Sequence, residues 1–180
     1  MHGQWKFNKL VTEVGISHQP RKPHFMEIEE LVKKNFINGD TLDLEKSDIG
    51  DEGAKALSQL EILSQVTRLE LGDNQISDDG LAVLMQSPNI NNVKILNLKS
   101  NAITGKGAQA IANSPYLDHL EQLILKFNKI DEEGARHLAE SEHFPKLNTL
   151  DLFRCNLGEE GVAAIKKSKF FKNLSRVRLD

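Results

Sequence analysis

Residues 69–84 read LELGDNQISDDGLAVL, and the same order of apolar, polar and glycine positions returns along most of the 180-residue chain. The Leu-x-Leu opening of this stretch recurs every 27 residues, with no insertion or deletion between one copy and the next. The copies begin at Leu42, Leu69, Leu96, Leu123 and Leu150, and a variant begins at Val177. Self-similarity at a fixed period indicates a repeat protein, in which each unit buries its apolar face against its neighbours.

Each repeat predicts a short strand followed by a helix. In Leu69-Glu70-Leu71 the side chains alternate, which turns the leucines to one side of a strand and the glutamate to the other. Residues suited to capping a helix share one later column, at Ser77, Thr104 and Asp131. Glycine then recurs in the first helical turn, at Gly53, Gly80, Gly107, Gly134 and Gly161. Helix propensity does not favour glycine there, so we expect close packing against the adjoining strand or repeat, where a side chain would collide.

Together these columns resemble the leucine-rich-repeat family, in which asparagine or cysteine follows leucines at this spacing. Asn74, Asn101, Asn128 and Cys155 occupy that column. The long period and the Gly-Ala segment of several repeats are similar to the ribonuclease-inhibitor-like class. The resemblance covers roughly residues 39–180. It implies an α/β fold, a right-handed βα solenoid shaped as a horseshoe arc, with a parallel sheet on the concave face and helices on the convex face. It also implies a protein partner on the concave face, without identifying that partner.

Three segments follow from the patterns. Residues 1–22 are an apolar N-terminal segment that either folds back over the next segment or docks a partner. Residues 23–40 carry apolar side chains at helical spacing and predict a helical N-terminal cap over the first repeat. Residues 41–180 hold five 27-residue repeats and the start of a sixth strand. That strand has no capping helix after it, which predicts an open sheet edge where a homodimer could form or a longer array could continue.

The register also identifies which strand residues face solvent. Ile95, Ile124, Phe127 and Phe153 are apolar where polar residues are expected, while acidic residues crowd the first two strands and basic residues follow later. Clustered exposed apolar residues often mark an interaction site, and such a charge gradient can orient a partner. We therefore predict a partner-binding patch on the concave face, formed by Ile95, Lys99, Ile124, Lys126, Phe127, Phe153 and Arg154. The alternative is that the two phenylalanines merely cover each other.

No catalytic site is predicted. The six histidines share no repeat column, and the glycines recur at repeat spacing and not within one phosphate-binding loop. We expect no cofactor and no metal, and we interpret Cys155 as structural, because a buried free cysteine usually behaves as a small hydrophobe. The expected function is that of a non-enzymatic module that binds a protein. The alternatives are a GTPase-activating protein of the Ran-activator type and the recognition module of a larger effector enzyme.

Charge and composition limit the partners and the compartment. The net charge is −3, whereas nucleic-acid binders normally carry a basic excess, so nucleic acid is not expected. No apolar run approaches the roughly 18 residues that span a bilayer, and the N-terminus lacks the apolar core of a signal peptide, so no membrane contact is expected. With a single cysteine, these features predict a cytoplasmic protein if the chain is complete. A secreted effector without a conventional signal peptide is the alternative.

Overall fold

The structure is a computed structural model that describes residues 25–179, so the apolar segment predicted at residues 1–22 lies outside the described residues. The helices of this region are α1 (Phe25–Asn35), α2 (Gly50–Ser58), α3 (Asp78–Met85), α4 (Gly105–Ala112), α5 (Asp131–Glu140) and α6 (Gly158–Lys167). Its strands are β1 (Phe36–Ile37), β2 (Thr41–Asp43), β3 (Arg68–Glu70), β4 (Ile95–Asn97), β5 (Gln122–Ile124), β6 (Thr149–Asp151) and β7 (Arg176–Arg178). Short 3-10 helices at Glu61–Gln65 and Pro88–Ile90 join α2 and α3 to the strands that follow.

One sheet contains all seven strands in chain order, and β2 to β7 are parallel. Each strand pairs with the next at the repeat offset, with Leu42 beside Leu69 and Leu69 beside Leu96. Neighbouring strands lie about 4.8 Å apart, whereas packed helices need about 8–10 Å. A stack with one strand and one helix per unit must therefore curve with its sheet inside. This confirms the predicted α/β solenoid with the sheet on the concave face.

The interior is a continuous aliphatic column that runs through every repeat. The leucines that follow the strands are completely buried, at Leu44, Leu71, Leu98, Leu125 and Leu152. The helices contribute Leu57, Leu84, Ile111, Leu138 and Ile165 to the same cluster. Burying one such side chain stabilises a fold by about 1.5–3 kcal/mol, so this column is the main source of stability. The predicted shared interior is confirmed.

Helix α1 lies within the segment predicted as a cap and packs beside the first repeat. Ile28 and Val32 are buried, and the helix packs against α2 and β2. Strand β1 was not predicted, and it pairs antiparallel with β2 through a turn at residues 38–40. Asn38 and Gly39 have φ values of 55° and 82° in that turn, a left-handed conformation that asparagine and glycine adopt most readily. The Asn-Gly pair was therefore the available signal for this hairpin.

The asparagine column connects the loops that follow the strands. The side-chain oxygen of Asn101 accepts hydrogen bonds from the backbone N–H groups of Asn74 and Ile76, at 3.1 and 3.0 Å. The same amide donates to carbonyls of its own and the preceding repeat. Cys155 takes this position one repeat before β7, where its buried thiol donates to the carbonyl of Leu125 at 3.2 Å. These bonds satisfy backbone groups that the sheet does not pair.

A serine column, not predicted from the repeat, ties the C-terminal ends of α3 to α6 to the preceding repeat. Its hydroxyls donate to backbone carbonyls 29 residues earlier at 2.5–2.6 Å, at Ser87, Ser114, Ser141 and Ser168. Each hydroxyl also accepts the backbone N–H two residues later. The recurrence of serine at the repeat period was the available sequence signal.

The first helical turns are joined from repeat to repeat by their carboxylates. Ser77 and Thr104 are N-caps as predicted, whereas Asp131 is the first residue of α5 and accepts the N–H three residues later at 2.9 Å. Asp51 accepts both the N–H and the hydroxyl of Ser77 at 2.7 Å, and Asp78 binds Thr104 in the same way. These acidic residues therefore connect successive helices. Their negative charges also interact favourably with the positive end of the helix dipole.

The glycine column marks the close approach of successive helices, as predicted. A Cβ on Gly80 would lie 2.7 Å from the Cα of Asp51. A Cβ on Gly134 would lie 2.8 Å from the Cα of Gly105. Because these neighbours are backbone atoms, they cannot move aside without shifting a whole repeat.

Strand β7 is the edge of the sheet at the end of the described region, and all three of its residues are exposed. A cavity of about 440 Å³ lies on the interior side of this edge. Its apolar lining includes Ile165, Phe171, Leu174, Val177 and Leu179. Within the described residues, β7 pairs with β6 alone.

Candidate functional site

The fourth residue after each repeat start has the same unusual backbone conformation. φ lies between 52° and 62° at Lys46, Asp73, Ser100, Phe127 and Arg154. A left-handed backbone costs a non-glycine residue about 1–2 kcal/mol, and a bulky side chain is rare there. Phe127 is nevertheless in this column, and 41% of its surface is exposed. The fold does not require an aromatic residue at this position, since other repeats place lysine, aspartate or serine there.

Phe127 contacts Phe153 of the next repeat on the sheet face. The ring centroids are 5.9 Å apart and the ring planes meet at 77°, an edge-to-face arrangement. Lys126 Nζ lies 5.9 Å from the Phe127 centroid, and Arg154 Cζ lies 5.8 and 5.4 Å from the Phe127 and Phe153 centroids. Arg178 Cζ is 4.0 Å from the Phe153 centroid. These five residues are called the aromatic patch below.

The two phenylalanines cover each other only in part. Their edge-to-face contact leaves Phe127 among the most exposed large apolar residues of the described chain. Arg154 and Arg178 lie over the Phe153 ring, which is half-buried, while their charged head groups stay in water. The aromatic patch is therefore an apolar surface with a basic border.

The two isoleucines predicted for the site are half-buried on the same side of the sheet. Ile124 belongs to β5 and precedes Lys126 by two residues, so it lies next to the aromatic patch along the strand. Ile95 is the first residue of β4 and pairs with Gln122, so it lies at the other end of the strands. The binding role of both isoleucines stays a prediction.

Lys99, also predicted for the site, extends toward the first repeat. Its Nζ lies 2.8 Å from Glu45 Oε1 and 4.0 Å from Asp73 Oδ2. Its methylenes lie over Gly72, where a Cβ would come within 2.9 Å of Lys99 Cγ and Cε. The hydrogen bond between Lys99 and Glu45 raises the pKa of the lysine and lowers the pKa of the glutamate. The structure therefore places Lys99 in an internal ion pair, and its role in binding stays a prediction.

Glu70 is a buried carboxylate on the side of the sheet where alternation predicts exposure. Only 7% of its surface is exposed. Asn97 Nδ2 donates to Glu70 Oε2 at 2.6 Å, and Arg68 Nη2 lies 2.6 Å from Oε1. The contact with Arg68 lacks hydrogen-bond geometry, so it is a charge contact at short distance. Neighbouring side chains on β3 and β4 cover the glutamate, which strand alternation alone cannot predict.

The described chain has neither a metal-binding cluster nor a membrane-spanning helix. Within residues 25–179, no three or more His, Cys, Asp or Glu side chains lie close enough together to hold a metal ion. No helix of that range combines the length and the apolar character needed to cross a bilayer.

Comparison with known families places five matches on the repeats. The family model described as Leucine Rich repeat matches residues 41–58, 65–85, 89–112, 117–139 and 144–166, more than half of the chain. The chain belongs to the leucine-rich-repeat family. Each leucine-rich-repeat match contains one strand of the parallel sheet and all or nearly all of the helix that follows it.

The leucine-rich-repeat fold is also found among solved structures. One similar structure is "Leiomodin-1 Actin-Binding Site 2 (ABS2)", with a TM-score of 0.55 and 20% sequence identity. The match covers 80% of this chain and 88% of that chain. At this identity the likeness shows a shared fold alone. No curated protein gave a match to this sequence.

Arg178 is the member of the aromatic patch that was not among the predicted site residues. It belongs to β7, in register with Asp151 of β6. The leucine-rich-repeat register identified Arg178 as solvent-facing. The register does not determine toward which neighbouring repeat such a side chain extends. Its stacking on Phe153 was therefore not visible in the sequence.

Proposed function

We propose that this leucine-rich-repeat protein is a non-enzymatic interaction module that binds a protein partner through the concave face of its sheet. The aromatic patch is the centre of the proposed site, and Ile95, Lys99 and Ile124 extend it. The observation that carries the proposal is the exposure of Phe127 at a left-handed backbone position.

The backbone cost at Phe127 offsets much of what its ring contact contributes to stability. Its backbone conformation costs about 1–2 kcal/mol. Its edge-to-face contact with Phe153 offsets about 0.5–1.5 kcal/mol of that cost. An exposed aromatic side chain with so small a structural role is typical of a binding anchor, because aromatic residues bury a large area with few rotatable bonds.

The likeness in fold supports this proposal in general terms only. The similar solved structure is an actin-binding site of leiomodin-1. At 20% identity, that partner does not transfer to this chain. The proposal is therefore limited to a protein partner and does not name one.

Within the family, we assign the chain to the ribonuclease-inhibitor-like class. The support is the uninterrupted 27-residue register, the glycine column and an α-helix after each of the strands β2 to β6. We also propose action in the cytoplasm, in keeping with a free, buried cysteine. A secreted effector is the alternative compartment.

A comparative pull-down tests the proposed site. The immobilised protein should capture a reproducible partner, and the double variant Phe127→Asn, Phe153→Ala should lose it while its thermal midpoint falls only slightly. The matched control is Val83→Ala, which truncates a side chain of α3 that is 42% exposed. Capture that survives in the double variant, or that is lost equally in the control, would contradict the proposal.

The alternative functions have their own tests. Faster GTP hydrolysis by a small GTPase in the presence of this protein would favour an activator of the Ran-activator type. A catalytic domain encoded beside this segment would favour a recognition module of a larger effector enzyme. A homodimer paired through the exposed β7 edge would have twice the monomer mass in light scattering.

A further inference from the structure

The cations of the aromatic patch are not paired with carboxylates of the described chain. Within residues 25–179, Lys126, Arg154 and Arg178 form no salt bridge and donate no side-chain hydrogen bond. Their ring contacts are with Phe127 and Phe153, and the charge of Lys126 also helps to lower the pKa of Glu45. A guanidinium that lies over a ring keeps its N–H groups at the ring edge, where they remain free to bind a carboxylate.

Cations elsewhere on this face are paired with carboxylates. Lys99 is bound by Glu45, and Arg68 lies against Glu70. Strands β5 to β7 and their loops (residues 122–128, 149–155 and 176–179) instead carry four cations and one carboxylate. These are Lys126, Arg154, Arg176, Arg178 and Asp151. The carboxylate of Asp151 accepts the N–H of Phe153 at 3.1 Å. The unpaired cations of the sheet face are therefore concentrated around the aromatic patch.

We propose that the aromatic patch binds an acidic segment of a partner protein that also carries a large apolar side chain. The apolar side chain packs against the exposed Phe127 ring, and neighbouring carboxylates meet Arg154 and Arg178 in the next two repeats. This inference rests on the proposed function and adds the chemistry of the partner. Bidentate pairing of arginine with carboxylate supplies direction as well as affinity.

The other half of the sheet face restricts where such a segment can lie. Asp43 and Asp73 lie on β2 and in the loop after β3, beyond the paired Lys99. An acidic segment that extended over them would meet like charges, which disfavours that position. The proposed segment therefore lies over β5 to β7 and does not follow the whole arc.

Fluorescence polarisation with labelled synthetic peptides tests this proposal. The main probe is a peptide of about twelve residues in which glutamates alternate with leucines around a central phenylalanine. One comparison peptide replaces every glutamate with lysine, and another replaces the apolar residues with serine. The acidic apolar peptide should bind at least about tenfold more tightly than either, and its affinity should fall as salt is added.

Variants of the protein assign the binding to the patch. The double variant Arg154→Gln, Arg178→Gln should weaken binding of the acidic apolar peptide by about tenfold or more and flatten its salt dependence. Phe127→Asn should weaken it as well. The matched control Arg136→Gln removes an exposed arginine of α5 and should leave binding unchanged.

Several results would overturn the proposal. They are equal binding of the lysine peptide, an unchanged affinity of the double arginine variant, no binding of the acidic apolar peptide, or equally tight binding of a single-stranded oligothymidylate. Each of these leaves the pull-down comparison of the phenylalanine variants intact. A wrong partner chemistry is therefore distinguishable from a wrong binding face.

Discussion

Lys99 reaches over Gly72 to Glu45, so that one ion pair spans three consecutive repeats. The two charged atoms are 2.8 Å apart, although the residues are separated by 54 positions in the chain. The missing side chain at Gly72 leaves the channel in which the lysine methylenes lie. Within the described chain this contact is the longest-range side-chain link on the sheet face, and it has a specific pH signature.

Replacing Glu45 with glutamine should reduce stability at neutral pH and leave it unchanged in acid. The pKa of Glu45 is lowered in the folded protein, so its contribution is present above the unfolded pKa of about 4.3 and is lost as the pH falls through the folded value. We expect Glu45→Gln to lower the free energy of unfolding by at most about 1 kcal/mol at pH 7. The pKa of Lys99 is raised, so the contribution of Lys99 to the free energy of unfolding is lost only as the pH rises above about 10.4. Urea denaturation at several pH values measures the free energy of unfolding of Glu45→Gln, with Glu142→Gln as the exposed control. A loss of stability that did not depend on pH would contradict this prediction.

Two glycines should respond differently to the same added methyl group. In Gly80→Ala the new Cβ would lie 2.7 Å from the Cα of Asp51, so we expect the free energy of unfolding to fall by about 1–3 kcal/mol or more. In Gly72→Ala it would meet only flexible Lys99 methylenes. The lysine can move away, and the loss should stay within about 1 kcal/mol. Chemical denaturation of both variants decides the matter, and equal losses would refute this account of the glycine column.

The serine column should contribute measurably to stability. Ser141→Ala removes a hydrogen bond of 2.6 Å to the carbonyl of Ala112 and leaves that buried carbonyl without this donor. We expect a loss of about 1–3 kcal/mol. Ser64→Ala is the control, because the Ser64 hydroxyl is exposed and bonds only within its own turn. If the two variants lost the same free energy of unfolding, the inter-repeat bond would not be the cause.

Phe127→Asn should leave the fold intact. Asparagine adopts the left-handed conformation more readily than phenylalanine, which offsets the lost contact with Phe153. The free energy of unfolding should therefore change by less than about 1 kcal/mol. Leu125→Ala, two residues earlier and completely buried, should cost about 2–5 kcal/mol. A large decrease in the free energy of unfolding of Phe127→Asn would mean that Phe127 stabilises the fold. The proposed site would then lose its main support.

The sequence predicted the interior of this protein far better than its surface. The leucine columns gave the strand register, the parallel order and the buried face, because each column repeats the same environment. The glycine column was also interpreted correctly. Strand β1 was missed because it lies outside the repeat, although Asn38-Gly39 marked the turn. The serine column was missed because serine is compatible with so many environments.

On the surface, residue type and column did not determine what each side chain contacts. Lys99 and Lys126 share one column, yet the former is bound to Glu45 and the latter lies near Phe127. The difference comes from neighbours one or two repeats away, such as Gly72. Glu70 is buried for a similar reason, since Arg68 and Asn97 cover it. Such contacts depend on pairs of columns, which the repeat pattern does not encode.

The constant spacing makes this chain editable in whole units. Deleting residues 96–122 would put Leu123 in the place of Leu96. Each deleted interior side chain would then be replaced by the equivalent side chain of the next repeat. The outer layout would change, however, because Lys99 would be removed and Phe127 would move one strand closer to Glu45. Gene duplication or loss of single units can therefore rearrange what such a surface presents while the scaffold beneath it persists.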